Sequence, residues 1–346
     1  MTKLSDELLD WFKKHGRKTL PWQSNPTNIY YVWVSEVMLQ QTQVATVINY
    51  FKNFIFAFPN IKALAQAEDD DVLALWAGLG YYSRARNLHK SAKIILSKHN
   101  GVFPKNYSDV VALPGVGDST AGAILSLAYN QHLPILDGNV KRVLSRYHEV
   151  EGHYSSNDVL KTLWALAKLH TPKKDTAQYT QAIMDLGATV CTLRNPKCNK
   201  CPIYENCMAY LSGNQKNYPH KKIKKVRPEK SIVFLIYQNE KGEIYLEKRP
   251  NKGIWGGLWS FVECGKNDDE IDKAIKHHNK NAEILVSFTS FKHSFSHYHL
   301  WITPILVFSP RGVNGYYQAQ DISLGMPAPV KKIIMALDST NQKLYQ

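Results

Sequence analysis

The chain reads as a mainly α region followed by an α+β domain, and three features of the sequence predict that order. Apolar residues recur at helical spacing through the first 211 positions. From residue 231 the texture changes to short runs of β-branched and aromatic residues separated by turn residues. Between the two lies a basic stretch carrying Gly213, Pro219, Pro228 and several lysines. At 346 residues the chain exceeds one typical domain, and an apolar content of 44% supplies core for two.

Leu4, Leu8 and Phe12 fall at i, i+4 and i+8 with Asp6, Glu7 and Asp10 between them, which predicts an amphipathic helix rather than a signal peptide. Val47, Ile48, Phe51, Ile55 and Phe58 continue the helical spacing until Pro59. Ser83 is placed to cap a helix carrying Leu88, Ala92 and Ile95 that stops near Gly101. In Leu113-Pro-Gly-Val-Gly-Asp-Ser-Thr-Ala-Gly-Ala-Ile124, Pro114, Gly115 and Gly117 form a tight turn, and Ser119 or Thr120 starts a helix to about Tyr129. Backbone donors at such a helix start suit an anion such as a DNA phosphate; a bare helix–turn–helix contact is the plainer alternative. Beyond the linker, Ser231–Tyr237 and Glu243–Glu247 predict strands joined by a turn at Asn239–Gly242. No stretch is apolar and long enough to span a membrane.

The formal charge of +14 points to a polyanionic partner. Residues 1–211 carry 23 basic and 17 acidic side chains, 212–230 carry 7 and 1, and 231–346 carry 13 and 11. The excess therefore lies in the helical region and in the linker around Lys221-Lys222-Ile223-Lys224-Lys225, which either tethers or binds phosphate directly.

Cys191, Cys198, Cys201 and Cys207 bunch within one short segment, with six, two and five residues between them. Four soft thiolates in this arrangement enclose one metal centre; disulfide scaffolds spread their cysteines instead. Zinc knuckles use two close pairs, whereas only Cys198 and Cys201 are close here, so an iron–sulfur cluster fits better than zinc. Arg194, Lys197 and Lys200 in the same loops are either simply solvated or form a metal-stiffened phosphate surface. A cluster of this kind, free thiols and no export signal indicate a reducing, cytoplasmic compartment.

Two carboxylates stand out. Glu36 is the only charge between Lys18 and Lys52, inside the apolar run from Ile29 to Leu39. Apolar surroundings push a carboxyl towards its protonated form, which a general acid needs; stabilisation by a helix dipole is the alternative. Asp137 opens an Asp-Gly-Asn turn after Pro134 and by itself is turn chemistry.

The hairpin and the cysteine spacing resemble the helix-hairpin-helix and 4Fe-4S loop of the endonuclease III superfamily of DNA glycosylases. Within it, Val34-Ser-Glu-Val-Met-Leu-Gln-Gln-Thr-Gln-Val44, Gly78-Leu-Gly-Tyr-Tyr-Ser-Arg-Ala-Arg-Asn-Leu88 and Leu136-Asp-Gly-Asn-Val-Lys-Arg142 are similar to MutY-type adenine DNA glycosylases over nearly the whole chain. The resemblance implies removal of adenine mispaired with 8-oxoguanine or guanine in double-stranded DNA, by a monomer acting on the bacterial nucleoid. It implies a 4Fe-4S cluster on the four cysteines, Glu36 as the acid that protonates adenine, and Asp137 as the countercharge to the sugar cation, with Asn139 holding the constellation. Ser119 stands where bifunctional members carry a lysine that attacks the sugar, which implies base release without strand cleavage. Gly115 and Gly117 would meet phosphate, and Gln41, Leu79 and Tyr81 would enter beside the opposite base. Gln23 departs from the arginine usual after the Leu-Pro-Trp motif, so no adenine contact is carried over to it.

By the same resemblance the helical region spans residues 1–212, with a six-helix barrel from about 23–131 and a cluster part from about 1–22 and 132–212. A basic linker covers 213–230, and a nudix-like recognition domain covers 231–346. Gly257 and Glu263 match the opening of a nudix box, but Ile271-Asp-Lys stands where its Arg-Glu run begins, so no Mg2+ site for pyrophosphate hydrolysis is expected. His293, Phe295, His297 and His299 alternate along a strand or hairpin, and Phe295-Ser296-His297 would contact 8-oxoguanine. Cys264 reads as an unpaired structural thiol. The rival readings are a pyrimidine-specific glycosylase/AP lyase, opposed by Ser119, and a non-catalytic DNA-damage binder, opposed by the presence of both Glu36 and Asp137.

Overall fold

A computed structural model describes residues 2–222, 226–310, 315–319 and 323–344. Ile223, Lys224 and Lys225 of the basic linker lie outside the described residues. The chain forms two compact units, one of Met1–Gln66 with Asn87–Lys224, the other of Ala67–Arg86 with Lys225–Gln346. The sequence alone points to a division within 213–230; the units part between Lys224 and Lys225, and the second also takes in Ala67–Arg86.

The first unit is helical because its sequence repeats at 3.6 residues and caps its ends. The helix Lys3–His15 starts at a capping box, Thr2 accepting from the Ser5 N–H while the Ser5 side chain accepts from the Thr2 N–H. Its Leu4, Leu8, Leu9 and Phe12 join Val143, Leu144, Ile183 and Leu186 in one core. The helix Ile29–Leu39 is apolar apart from Ser35 and its one charge, Glu36, and mostly buried, with Trp33, Val34 and Met38 wholly enclosed. It packs on the helices Val44–Ala57 and Asp118–Tyr129. Two glycines set close approaches inside helices, where glycine costs roughly 0.5–1 kcal/mol relative to alanine. A Cβ at Gly122 would stand 2.5 Å from the Pro134 carbonyl oxygen, and one at Gly187 would stand 2.5 Å from Asn139 Cβ. Both bring the segment Pro134–Asn139 hard against neighbouring helices.

In the second unit the strands are β1 (Glu229–Gln238), β2 (Ile244–Tyr245), β3 (Glu247–Lys248), β4 (Trp259–Ser260), β5 (Val262–Cys264), β6 (Glu283–Ser287), β7 (Phe291–Ser294), β8 (His299–Phe308) and β9 (Tyr316–Tyr317). The main sheet runs β6-β8-β1-β2-β9, with β5 also on β1 and β7 also on β8. β1 and β8 are parallel and in register from Glu229↔His299 to Gln238↔Phe308. The helix Asp268–His278 lays Ile271 and Ile275 on Val233, Leu235 and Tyr237. Its first turn holds Asp268, Asp269 and Glu270 and its last Lys276, His277 and His278, matching the helix dipole. The strand expected at Glu243–Glu247 is divided: β2 pairs with β1, while β3 leaves to pair with β4.

Candidate active site

Glu36, Ser119, Asp137 and Asn139 line one open cavity of about 850 Å³ in the helical unit, together with Trp22, Gln40, Gln41 and Arg142. Glu36 sits near the end of the apolar Ile29–Leu39 helix. Its side chain reaches the cavity, yet protein surrounds it, and burial pushes its carboxyl up to about 8, the Asp137 charge adding to the shift. Apolar flanking residues thus produce a carboxylic acid that keeps its proton near neutrality.

Asp137 is the N-cap of the helix Gly138–Tyr147 and accepts from the Val140 N–H at 2.8 Å. Asn139 Nδ2 donates to the same carboxylate at 3.1 Å. Arg142 Nη2 donates to Asn139 Oδ1 at 2.8 Å and to the Gly187 carbonyl at 2.7 Å, and its Nε donates to the Cys191 carbonyl at 2.7 Å. Burial raises the Asp137 carboxyl as well, but Val140, Asn139 and Arg142 all oppose that rise. Glu36 has no comparable donor among the described residues. Of the two acids, Asp137 therefore gives up its proton first, the division that paired carboxylates need for acid and countercharge roles.

The hairpin helix runs Asp118–Tyr129 with Gly117 at its N-cap, one or two residues before the predicted start. Gly115 has φ +77, and a Cβ there would meet Asn87 at 2.9 Å; Gly117 faces open space. Ser119 Oγ accepts from the Leu136 N–H at 2.9 Å, tying the hairpin to the chain just before Asp137. A hydroxyl here is a strut and an acceptor, and it lacks the amine that would form an imine.

Arg17 and Asp185 escaped the sequence reading. Arg17 donates to Asp185 from Nε at 2.9 Å, Nη2 at 2.6 Å and its backbone N–H at 2.7 Å, and Gln181 Nε2 adds a bond at 2.8 Å. Asp185 is 1% exposed, while Arg17 and Gln181 line the cavity. Gln23 closes the loop beside them: its Oε1 accepts from the Leu20 N–H at 3.0 Å and its Nε2 donates to the Arg17 carbonyl at 2.9 Å. No local pattern signals this pairing, because Arg17 and Asp185 stand 168 residues apart.

Gln41 is exposed at the cavity with φ +58, left-handed backbone that a non-glycine residue seldom adopts. Leu79 and Tyr81 belong to the second unit. Tyr81, also left-handed at φ +48, is 48% exposed, whereas Leu79 is buried. Arg84 holds this turn by donating to the Gly80 carbonyl at 3.0 Å, with its guanidinium 5.6 Å from the Tyr81 ring. In the same unit Ser296 and His297 are exposed and Phe295 is half-buried. Glu263 pairs with Arg249 at 2.7 Å.

Cys191, Cys198, Cys201 and Cys207 are free thiols that line one small cavity. Burial, with the other three thiols adding, pushes Cys201 up to about 12, and burial lifts Cys207 to about 11. Arg146 Nη1 donates to Cys191 Sγ at 3.3 Å. Among the described residues no three His, Cys, Asp or Glu side chains converge as a site for a single metal ion. The donor set is nonetheless four soft sulfurs around one space, chemistry that suits a cluster with several metal corners. Cys264 is a fifth free thiol, on β5.

The sequence model of the HhH-GPD superfamily base excision DNA repair proteins matches residues 34–169, and that of the NUDIX domain matches residues 232–336. Adenine DNA glycosylase of Buchnera aphidicola from Acyrthosiphon pisum is 44% identical over 96% of this chain and 98% of its own length. The protein of that name from Buchnera aphidicola of Schizaphis graminum is also 44% identical, over 95% of this chain and 97% of its own. Among solved structures, a thermostable thymine-DNA glycosylase superposes with a TM-score of 0.54 at 25% identity, over 60% of this chain and 95% of that one. No helix among the described residues is long and apolar enough to cross a membrane.

Proposed function

The chain belongs to the adenine DNA glycosylases of the HhH-GPD superfamily, and we propose that it removes adenine paired with 8-oxoguanine or guanine in duplex DNA without cutting the strand. The observation that carries this reading is a carboxylic acid raised to about 8, Glu36, sharing a cavity with the carboxylate of Asp137, which accepts hydrogen bonds from Val140 and Asn139. Glu36 protonates a ring nitrogen of the flipped adenine, and the N-glycosidic bond breaks with its electron pair leaving on the base. Asp137 offsets the positive charge that develops on the sugar until water adds there. Asn139 and Arg142 hold Asp137 in place, and Ser119 supplies no amine, so the product is an intact strand lacking one base.

Backbone N–H groups around Gly115 and Gly117 bind a DNA phosphate. Gln41 of the first unit and Tyr81 of the second, both displayed from left-handed backbone, are the residues read as entering beside the opposite base, and Phe295-Ser296-His297 reads 8-oxoguanine; Leu79 is buried and makes no such entry. Cys191, Cys198, Cys201 and Cys207 would hold a 4Fe-4S cluster, which when bound ties off their loop and fixes its cations towards phosphate. The barrel part at about 23–131, the cluster part at about 1–22 and 132–212, and the recognition domain at 231–346 divide this work in a monomer on the bacterial nucleoid.

Duplexes carrying adenine opposite 8-oxoguanine, or an oxidised pyrimidine, separate the readings when incubated with and without hot alkali. Adenine release with cleavage only after alkali is the expected result. Cleavage at the pyrimidine without alkali would indicate a lyase, and binding without base release a non-catalytic binder.

A further inference from the structure

The turn that presents Ser296 and His297 rests on an aromatic clamp. β7 and β8 pair from Phe291↔Ile302 to Ser294↔His299, leaving Phe295–Tyr298 as the connecting turn, closed by the Phe295 N–H to the Tyr298 carbonyl at 2.9 Å. Tyr298 is buried, and its ring lies 4.8 Å from that of Phe295. Phe295 leans on Trp255 with ring centroids 5.3 Å apart, and His293 approaches the same indole at 5.5 Å. The Arg249 guanidinium lies 5.7 Å from the Trp255 ring and is fixed by its pair with Glu263.

Trp255 is 7% exposed and has φ +55, a conformation that bulky side chains avoid. The flanking chain enforces it. Gly253 and Gly257 turn with φ +90 and +77, and Gly256 passes where a Cβ would stand 2.6 Å from the Asn251 carbonyl oxygen. Backbone strain that the fold maintains at such a residue marks a placement with a purpose. Ser296 and His297 alone would fluctuate on a short turn, and ordering them on contact would consume binding free energy. A large ring with few rotatable bonds, held from below, removes that loss.

The geometry points to Trp255 as a positioning residue that sets discrimination at the base opposite the target adenine, by fixing the Phe295–Tyr298 turn. This rests on the reading of Phe295-Ser296-His297 as the 8-oxoguanine contact. The test is the ratio of single-turnover adenine release opposite 8-oxoguanine to that opposite guanine, in full-length Trp255→Leu, Trp255→Phe and Phe295→Ala proteins. Trp255→Leu should lower the ratio about tenfold, the size of one lost base contact, while release opposite guanine stays within about twofold. Trp255→Phe, which keeps an aromatic platform, should restore most of the ratio. A ratio unchanged in Trp255→Leu but lowered in Phe295→Ala overturns the role of Trp255 and leaves the turn's reading intact. A ratio unchanged in both overturns that reading itself. Equal loss on both mispairs, with a lowered melting temperature, would make Trp255 a packing residue only.

Discussion

Arg142 decides which way the Asn139 amide points. Its Nη2 donates to Asn139 Oδ1 at 2.8 Å, which leaves Asn139 Nδ2 to donate to Asp137 at 3.1 Å. The same guanidinium reaches the Cys191 and Gly187 carbonyls, so one side chain ties the cysteine segment to the acid. Lysine cannot reproduce this fork. Arg142→Lys should slow single-turnover adenine release by roughly 10- to 100-fold, as a small misplacement does. Binding to the mispair, followed by fluorescence anisotropy, should change little. Unaltered release would remove Arg142 from the account.

Ser119→Lys should produce a covalent adduct that borohydride traps, whereas the native protein should trap none. The substitution also removes the acceptor for the Leu136 N–H, which lies next to Asp137. Adenine release should therefore fall even as lyase activity appears. Efficient trapping of the native protein would contradict a monofunctional enzyme.

The parts that the sequence discloses are local ones. The cysteine segment, the Leu113–Ile124 hairpin and a lone Glu36 in an apolar run are each visible within fewer than twenty residues, and the structure puts Glu36, Ser119, Asp137 and Asn139 around one cavity. What the sequence hides is contact across distance. Arg17 meets Asp185 168 residues away, and Gly187 is small because Asn139 packs against it. Asp137 reads as turn chemistry, but its helix-capping bond to Val140 appears only once the following helix is placed. The grouping of Ala67–Arg86 with the C-terminal chain has no composition signal, since that segment is as helical as its neighbours.

The purified protein should be brown and should carry iron in place of zinc by elemental analysis. Cys198→Ser should give mostly insoluble protein, because metal-binding free energy is folding free energy at such a site. Stoichiometric zinc without iron would overturn the cluster.

Acid should destabilise the fold through a histidine pair. His148 Nε2 and His170 Nε2 lie 2.8 Å apart, and His170 Nδ1 lies 2.9 Å from Thr2 Oγ1, the cap of the first helix. Only one of the two facing nitrogens can carry a proton. Burial first, then the His148 charge, lowers His170 from 6.5 to about 4. Between these values the unfolded chain binds the proton and the folded chain does not, so this stability is complete above 6.5 and is lost as pH falls towards 4. The melting temperature should drop through that window, and His170→Phe should flatten the drop. An equally steep drop in the variant would place the acid sensitivity elsewhere.

In the proposed chemistry Glu36 delivers the proton and Asp137 the countercharge. The most direct test is single-turnover adenine release from a duplex with adenine opposite 8-oxoguanine, measured across pH. With burial holding the Glu36 carboxyl up to about 8, the native protein keeps this proton near neutrality, and release should fall as pH rises through about 8. Glu36→Gln and Asp137→Asn should each lose roughly 10²-fold or more while still binding the mispair. Rapid release by either variant, or a native rate that does not fall above pH 8, would contradict the assignment.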